Sequence, residues 1–129
     1  MSGYTDQESR TLRTAVYGAM VLVSVAEEGA LDEESHAGIR AMAALPPRVR
    51  DAVDSGAPEL PQGSIEDVEA GVLAALRGSM AFLAAQSPDE ADAFALAVVT
   101  MCERVASADG DVGRAESAVV GRVRAALGR

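Results

Sequence analysis

The stretch Ala106-Ser-Ala-Asp-Gly-Asp-Val-Gly-Arg-Ala-Glu116 joins two apolar runs through an acidic turn, and it has a weaker echo earlier in the chain. Placing Gly29 on Gly110 sets Glu28 on Asp109, Leu31 on Val112, Ile39 on Val120 and Met42 on Val123. Each copy then consists of a long apolar helix, a turn with an acid before its glycine, an apolar residue two places on, and a second helix. The spacing predicts a diverged internal repeat of helix-turn-helix units.

The flanks of the two turns agree with this. From Thr11 to Glu28 the positions Leu12, Val16, Met20 and Val23 fit one helical face, although Val21-Leu-Val-Ser-Val25 alone would serve equally as a strand. Length and the repeat favour helix. Leu31-Asp-Glu-Glu-Ser35 opens a helix, with Asp32 as N-cap and Glu33 and Glu34 in the first turn, where the positive end of the dipole favours carboxylates. Ile39, Met42 and Leu45 mark its inner face. Pro46-Pro47 ends it, and Arg48 to Ser55 has room for a further turn or two.

After a linker at residues 56–63, Ser64-Ile-Glu-Asp67 is a near capping box that opens a helix through Val68, Val72, Leu76, Met80 and Leu83. Gly71 and Gly78 lie inside it and are read as points of close helix approach. Ser87-Pro88-Asp89-Glu90 opens the next helix, with Ser as N-cap and Pro at the first helical position. Ala93 to Cys102 is apolar almost all round, which predicts a helix at the centre of the bundle. Val119, Val120, Val123 and Leu127 give the last helix its inner stripe. The expected fold is all-α, a compact single-domain bundle of about six to seven helices built from two diverged helix-turn-helix repeats. Residues 1–10 are expected to form a flexible N-terminus and 11–129 the helical domain, divided into a first half, 11–55, and a second half, 64–127.

A chain of 129 residues with 49% hydrophobic content can bury a core without metal or disulfide staples. Only 3% of residues are aromatic, so that core must be built from Ala, Val, Leu and Met, whose modest size suits close helix packing. Twenty acids against eleven arginines give a net charge of −9, and no arginine stripe follows a phosphate backbone. Nucleic acid is excluded as an expected partner and anionic membrane surfaces are disfavoured, whereas cations and basic protein surfaces are favoured. Cys102 is the sole cysteine, so no intrachain disulfide forms, and its apolar surroundings predict a buried, inert thiol.

Arg10 and Arg13 precede an apolar stretch ending Ser24-Val-Ala26, a pattern that resembles a secretory leader. Asp6 and Glu8 cancel the two arginines, the apolar run starts late, and it is shorter than the ~20 residues of a membrane span. A cytoplasmic protein without membrane insertion is expected.

Counted back from Glu116, the second turn matches the latter half of a calcium loop. Asp109 and Gly110 fall at positions five and six, Val112 at eight and Glu116 at twelve. Glycine allows the sharp bend, the apolar residue anchors the loop, and the closing Glu can offer two oxygens to a hard cation. Positions one and three are Val105 and Ser107, so the first half lacks the carboxylates of a high-affinity site. Two accounts of these residues remain open. In one, Asp-Gly is a tight turn, Gly113 caps the following helix and Glu116 reaches back to the cap backbone. In the other, pseudo-twofold pairing brings the turns at Gly29 and Gly110 side by side. Glu27, Glu28, Asp109, Asp111 and Glu116 then form one acidic patch for a divalent cation, Ca²⁺ or Mg²⁺, or for a basic protein partner.

The Ala-Asp-Gly turn with Glu116 six residues after its glycine, the copy at Ala26-Glu-Glu-Gly29, and the Gln86-Ser-Pro-Asp-Glu-Ala91 lead into an apolar helix together resemble the tellurite-resistance TerB family. The resemblance spans residues 12 to 127. It implies an all-helical fold of related halves and a cytoplasmic acidic protein linked to tellurite and other chemical stress. It also implies membrane-bound and metal-binding partners near the inner membrane face. Asp109, Gly110 and Glu116 match the family's second motif. The first motif departs from the pattern, with Glu27-Glu28-Gly29 ending in Ser35 and Glu34 one place early.

Nothing in the sequence organises a catalyst. His36 is the only histidine and sits beside acids at a helix start, where a solvated side chain is expected. There is no Gly-x-Ser-x-Gly nucleophile motif and no phosphate-cradling glycine loop. Met20, Met42, Met80 and Met101 are read as core filler. The function expected is therefore non-enzymatic, with the acidic surface as the working part. The alternative is a protein-protein interaction domain that binds through an apolar helix face, such as the exposed side of Thr11 to Val25, without a metal site.

Overall fold

The computed structural model of the protein describes residues 4–25, 45–54, 56, 62–106 and 114–128. Among these the fold is all-helical. Five helices are present: α1 (Asp6–Val25), α2 (Pro47–Asp54), α3 (Ile65–Gln86), α4 (Pro88–Ala106) and α5 (Arg114–Ala126). The stretch Val21 to Val25, ambiguous by periodicity alone, completes α1 as helix.

The helix starts follow their local chemistry. At α3 the Asp67 amide donates to Ser64 Oγ and the Ser64 amide donates to Asp67 Oδ2, both at 3.2 Å, a complete capping box despite Asp in place of Glu. Gly63, just before this cap, has φ of +124°, and a Cβ there would lie 2.7 Å from Asp67 Oδ2. The box therefore requires glycine at that position. Pro47 takes the first position of α2, and the Arg50 amide donates to the Pro46 carbonyl at 2.9 Å. At α4 the Glu90 amide donates to Ser87 Oγ at 3.3 Å.

The start of α1 departs from expectation, because the helix opens at Asp6 rather than Thr11. A second capping box explains it. The Thr5 amide donates to Glu8 Oε1 at 2.9 Å, and the Glu8 amide donates to Thr5 Oγ1 at 3.0 Å.

The organising helix is α1, which packs against each of the other four described helices. Leu12, Ala15, Val16, Ala19 and Val23 on it are fully buried. Helix α4, expected at the centre because residues 93–102 are apolar almost all round, is not the central one, since Ala93 is exposed and Leu96 is 68% exposed on its outer side. Apolar content does not decide the centre, because α3 and α4 are both more apolar than α1; small residues do, since Ala15, Gly18 and Ala19 let other helices approach the α1 axis closely. A Cβ on Gly18 would lie 2.5 Å from Val72 Cγ2 of α3, which marks the tightest glycine contact between two described helices. Gly78, expected at such a contact, has only Thr11 Cγ2 near its Cβ position, at an ordinary 3.7 Å.

Phe94, Leu76, Leu83, Met101, Val49, Val53 and Val72 fill the interior alongside the α1 residues. Val119, Val120, Val123 and Leu127 are all buried along α5, as their spacing predicts. Met101 is buried and Met20 and Met80 pack against the core, whereas Met42 lies outside the described residues. Gly121 on the outer face of α5 has nothing within 4 Å of its Cβ position. Gly121→Ala is expected to raise stability by about 0.5–1 kcal/mol through lower backbone entropy of the unfolded chain. Urea denaturation with an unchanged slope checks this.

Candidate functional site

The acidic residues singled out by the sequence occupy two connecting segments. Glu27, Glu28 and Gly29 follow the end of α1, and Asp109, Gly110 and Asp111 fall between α4 and α5. All six lie outside the described residues, as do Gly113 and His36. Glu116 belongs to the first turn of α5, but its side chain is likewise outside them. The second turn joins α4 to α5 along the chain. Two arginines tie α5 to its neighbours. Arg122 donates from Nε and Nη2 to Glu69 Oε1 of α3, at 3.0 and 2.8 Å, and Arg124 Nη1 lies 3.8 Å from Glu103 Oε2 of α4. These exposed pairs add orientation more than stability.

Among the described residues no group of three or more His, Cys, Asp or Glu side chains could hold a metal ion. Cys102 is fully buried, and burial, helped by the adjacent Glu103 carboxylate, pushes its thiol up to about 12. A thiol held protonated is a poor nucleophile and a poor metal ligand, in agreement with the inert role expected for it.

Three features gave no signal in the sequence. Arg13 of α1 reaches the end of α2, where its Nη1 donates to the Ala52 carbonyl at 3.3 Å and supplies positive charge at a helix C-terminus. Ser79 is fully buried on the inner face of α3, and its hydroxyl has no hydrogen-bond partner. Tyr4, Arg48, Gln86 and Glu90 meet at the corner where α2, the end of α3 and the start of α4 converge. Arg48 Cζ sits 4.9 Å from the centre of the Tyr4 ring, and Arg48 Nη1 lies 3.6 Å from Glu90 Oε2. Their separation along the chain hides this cluster from any short-range pattern.

One helix among the described residues, α3, is long and apolar enough to cross a membrane by length and composition, with 22% of its apolar 18-residue window buried inside the fold. Its outer face carries the exposed alanines 70, 74, 81, 84 and 85 together with the charged Glu66 and Arg77.

No family model, curated protein or solved structure matches the chain.

Proposed function

We propose that the protein is a non-enzymatic, cytoplasmic module of the TerB kind, with about six to seven helices in two related halves, that acts in the response to tellurite and other chemical stress. Its working part is the acidic turn between α4 and α5, which takes a divalent cation, Ca²⁺ or Mg²⁺, or docks a basic protein partner near the inner membrane face. One observation carries this reading: Asp109, Gly110 and Glu116 stand at the family's spacing between two apolar helices, with a second acidic turn at Glu27-Glu28-Gly29. The net charge of −9 supports a cationic ligand over an anionic one.

Isothermal titration of metal-stripped protein with Ca²⁺, Mg²⁺, Mn²⁺ and Zn²⁺ tests it. Saturable binding that disappears in Asp109→Ala/Glu116→Ala is the expected result. Weak uptake that is indifferent to the double substitution is what any acidic surface gives at millimolar ion, and it would remove the cation from the proposal. Charge reversal, Asp109→Lys with Glu116→Lys, tests the basic partner in the same way.

A second reading, a docking domain that uses an apolar helix face with no metal site, has its own support. Through Val23, α1 exposes no large apolar residue, so that face offers little to a partner. The outer face of α3, alanine-rich with Glu66 and Arg77 as its charges, is the better candidate. Binding lost in Ala74→Glu/Ala81→Glu but retained in the acidic-turn variants would favour it.

A further inference from the structure

The first described residues close a corner of the bundle in an arrangement that is only partly satisfied. The Thr5–Glu8 capping box fixes where Tyr4 sits, and its ring packs on Phe82 of α3 with centroids 5.8 Å apart at 57°. The Arg48 guanidinium at the start of α2 lies over the Tyr4 ring, 4.9 Å from its centre, and also pairs with Glu90 of α4. Gln86, the last residue of α3, accepts from Arg48 Nη2 at 3.5 Å and donates to Glu8 Oε2 at 3.4 Å. Apart from the cap itself, every polar contact here is long.

Two atoms in the corner, the Tyr4 hydroxyl and Glu90 Oε1, are buried with no hydrogen-bond partner. Ring packing and the cation over the ring favour the closed arrangement, while two unsatisfied polar atoms favour opening, because both regain water when the corner opens. The element at stake is α2. It has eight residues, packs chiefly on α1, and has its start held by Arg48.

We propose that residues 4 and 5 form a releasable strap over α2. When Tyr4 lifts off Phe82 it frees Arg48, and α2 loosens while α1, α3, α4 and α5 stay packed. The opposed contributions make this a low-cost local opening rather than a step of global unfolding. A partner or covalent change that captures the Tyr4 ring or hydroxyl is thereby transmitted to α2 and to the segments on either side of it.

Hydrogen-deuterium exchange of the full chain, comparing wild type with Tyr4→Ala and Tyr4→Phe, separates this from ordinary core packing. Tyr4→Ala removes the ring, and amides of residues 49–54 should exchange about tenfold faster while those of α3 and α5 keep their rates. Tyr4→Phe keeps the ring and deletes the unsatisfied hydroxyl, so the same α2 amides should exchange roughly fivefold more slowly. Unchanged or faster α2 exchange in Tyr4→Phe would overturn the proposal, as would acceleration of all helices together in Tyr4→Ala. If Tyr4→Ala fails to fold, the Tyr4→Phe comparison decides alone.

Discussion

Gly18→Ala is expected to destabilise the protein by about 1–3 kcal/mol, although alanine is the better helix former by about 1 kcal/mol. The reason is Val72. A Cβ at residue 18 would lie 2.5 Å from Val72 Cγ2, 3.0 Å from Cγ1 and 3.3 Å from Cβ, so the whole isopropyl group stands in the way. Val72 is fully buried and β-branched within a helix, where it keeps one rotamer and cannot turn aside. Relief must come from α1 and α3 moving apart, and this would loosen packing along both. Urea denaturation of Gly18→Ala, Val72→Ala and the double variant forms a cycle with a definite sign. The double variant should be more stable than the sum of the single costs predicts, because the new methyl fills space that the valine vacated. Additive costs would show that the two residues do not define the crossing.

The second large effect concerns alkaline pH. In the fold the Cys102 thiol stays protonated up to about 12, whereas in the unfolded chain it ionises near its ordinary value of 9.0. Above that value the unfolded state has already lost its proton and the folded state has not. Stability is therefore fully present below about pH 9 and declines as pH rises toward about 12, by about 1.4 kcal/mol for each pH unit. Cys102→Ala removes this dependence at the cost of a small cavity that does not titrate. Wild type should lead the variant at pH 8, and the lead should shrink by about 2 kcal/mol at pH 10.5. A constant gap would mean that the thiol is not shielded by the fold. Thiol labelling of the native protein at pH 8 should proceed only at the rate of unfolding.

What could be read from the chain, and what could not, divides by range. The openings of α3 and α4 were legible because the Ser64–Asp67 pair and Ser87-Pro88 act within one turn of helix, whereas Pro47, expected to end a preceding helix, is the first residue of α2. The Thr5–Glu8 box is equally local, but it precedes the first apolar position of α1, so a reading led by hydropathy begins the helix at Thr11. The choice of α4 as the central helix failed for a related reason. Apolarity measures what a helix can bury, while the closeness of its neighbours depends on small residues such as Ala15, Gly18 and Ala19. Gly18 and Gly78 look alike in sequence, and only the element crossing each one distinguishes them. The Tyr4–Arg48–Glu90 corner draws on three separate stretches of chain and leaves no periodic trace. The acids at residues 27, 28, 109 and 111 were found by motif, and their joint placement remains part of the proposed function rather than of the described fold.

The central place of α1 also has a consequence for biosynthesis. Of the five described helices α1 leaves the ribosome first, yet its principal partner, α3, begins forty residues after its own last residue, Val25, and α5 follows later still. The part of its apolar stripe that α3 covers must therefore wait until α3 has been made. Contacts between the earliest and the latest helix defer the closing of the core until α5 has emerged. Nascent chains paused before that point would present a sticky helix to their neighbours, and the two acids and two arginines at residues 6, 8, 10 and 13 are the charges nearest to keep it in solution.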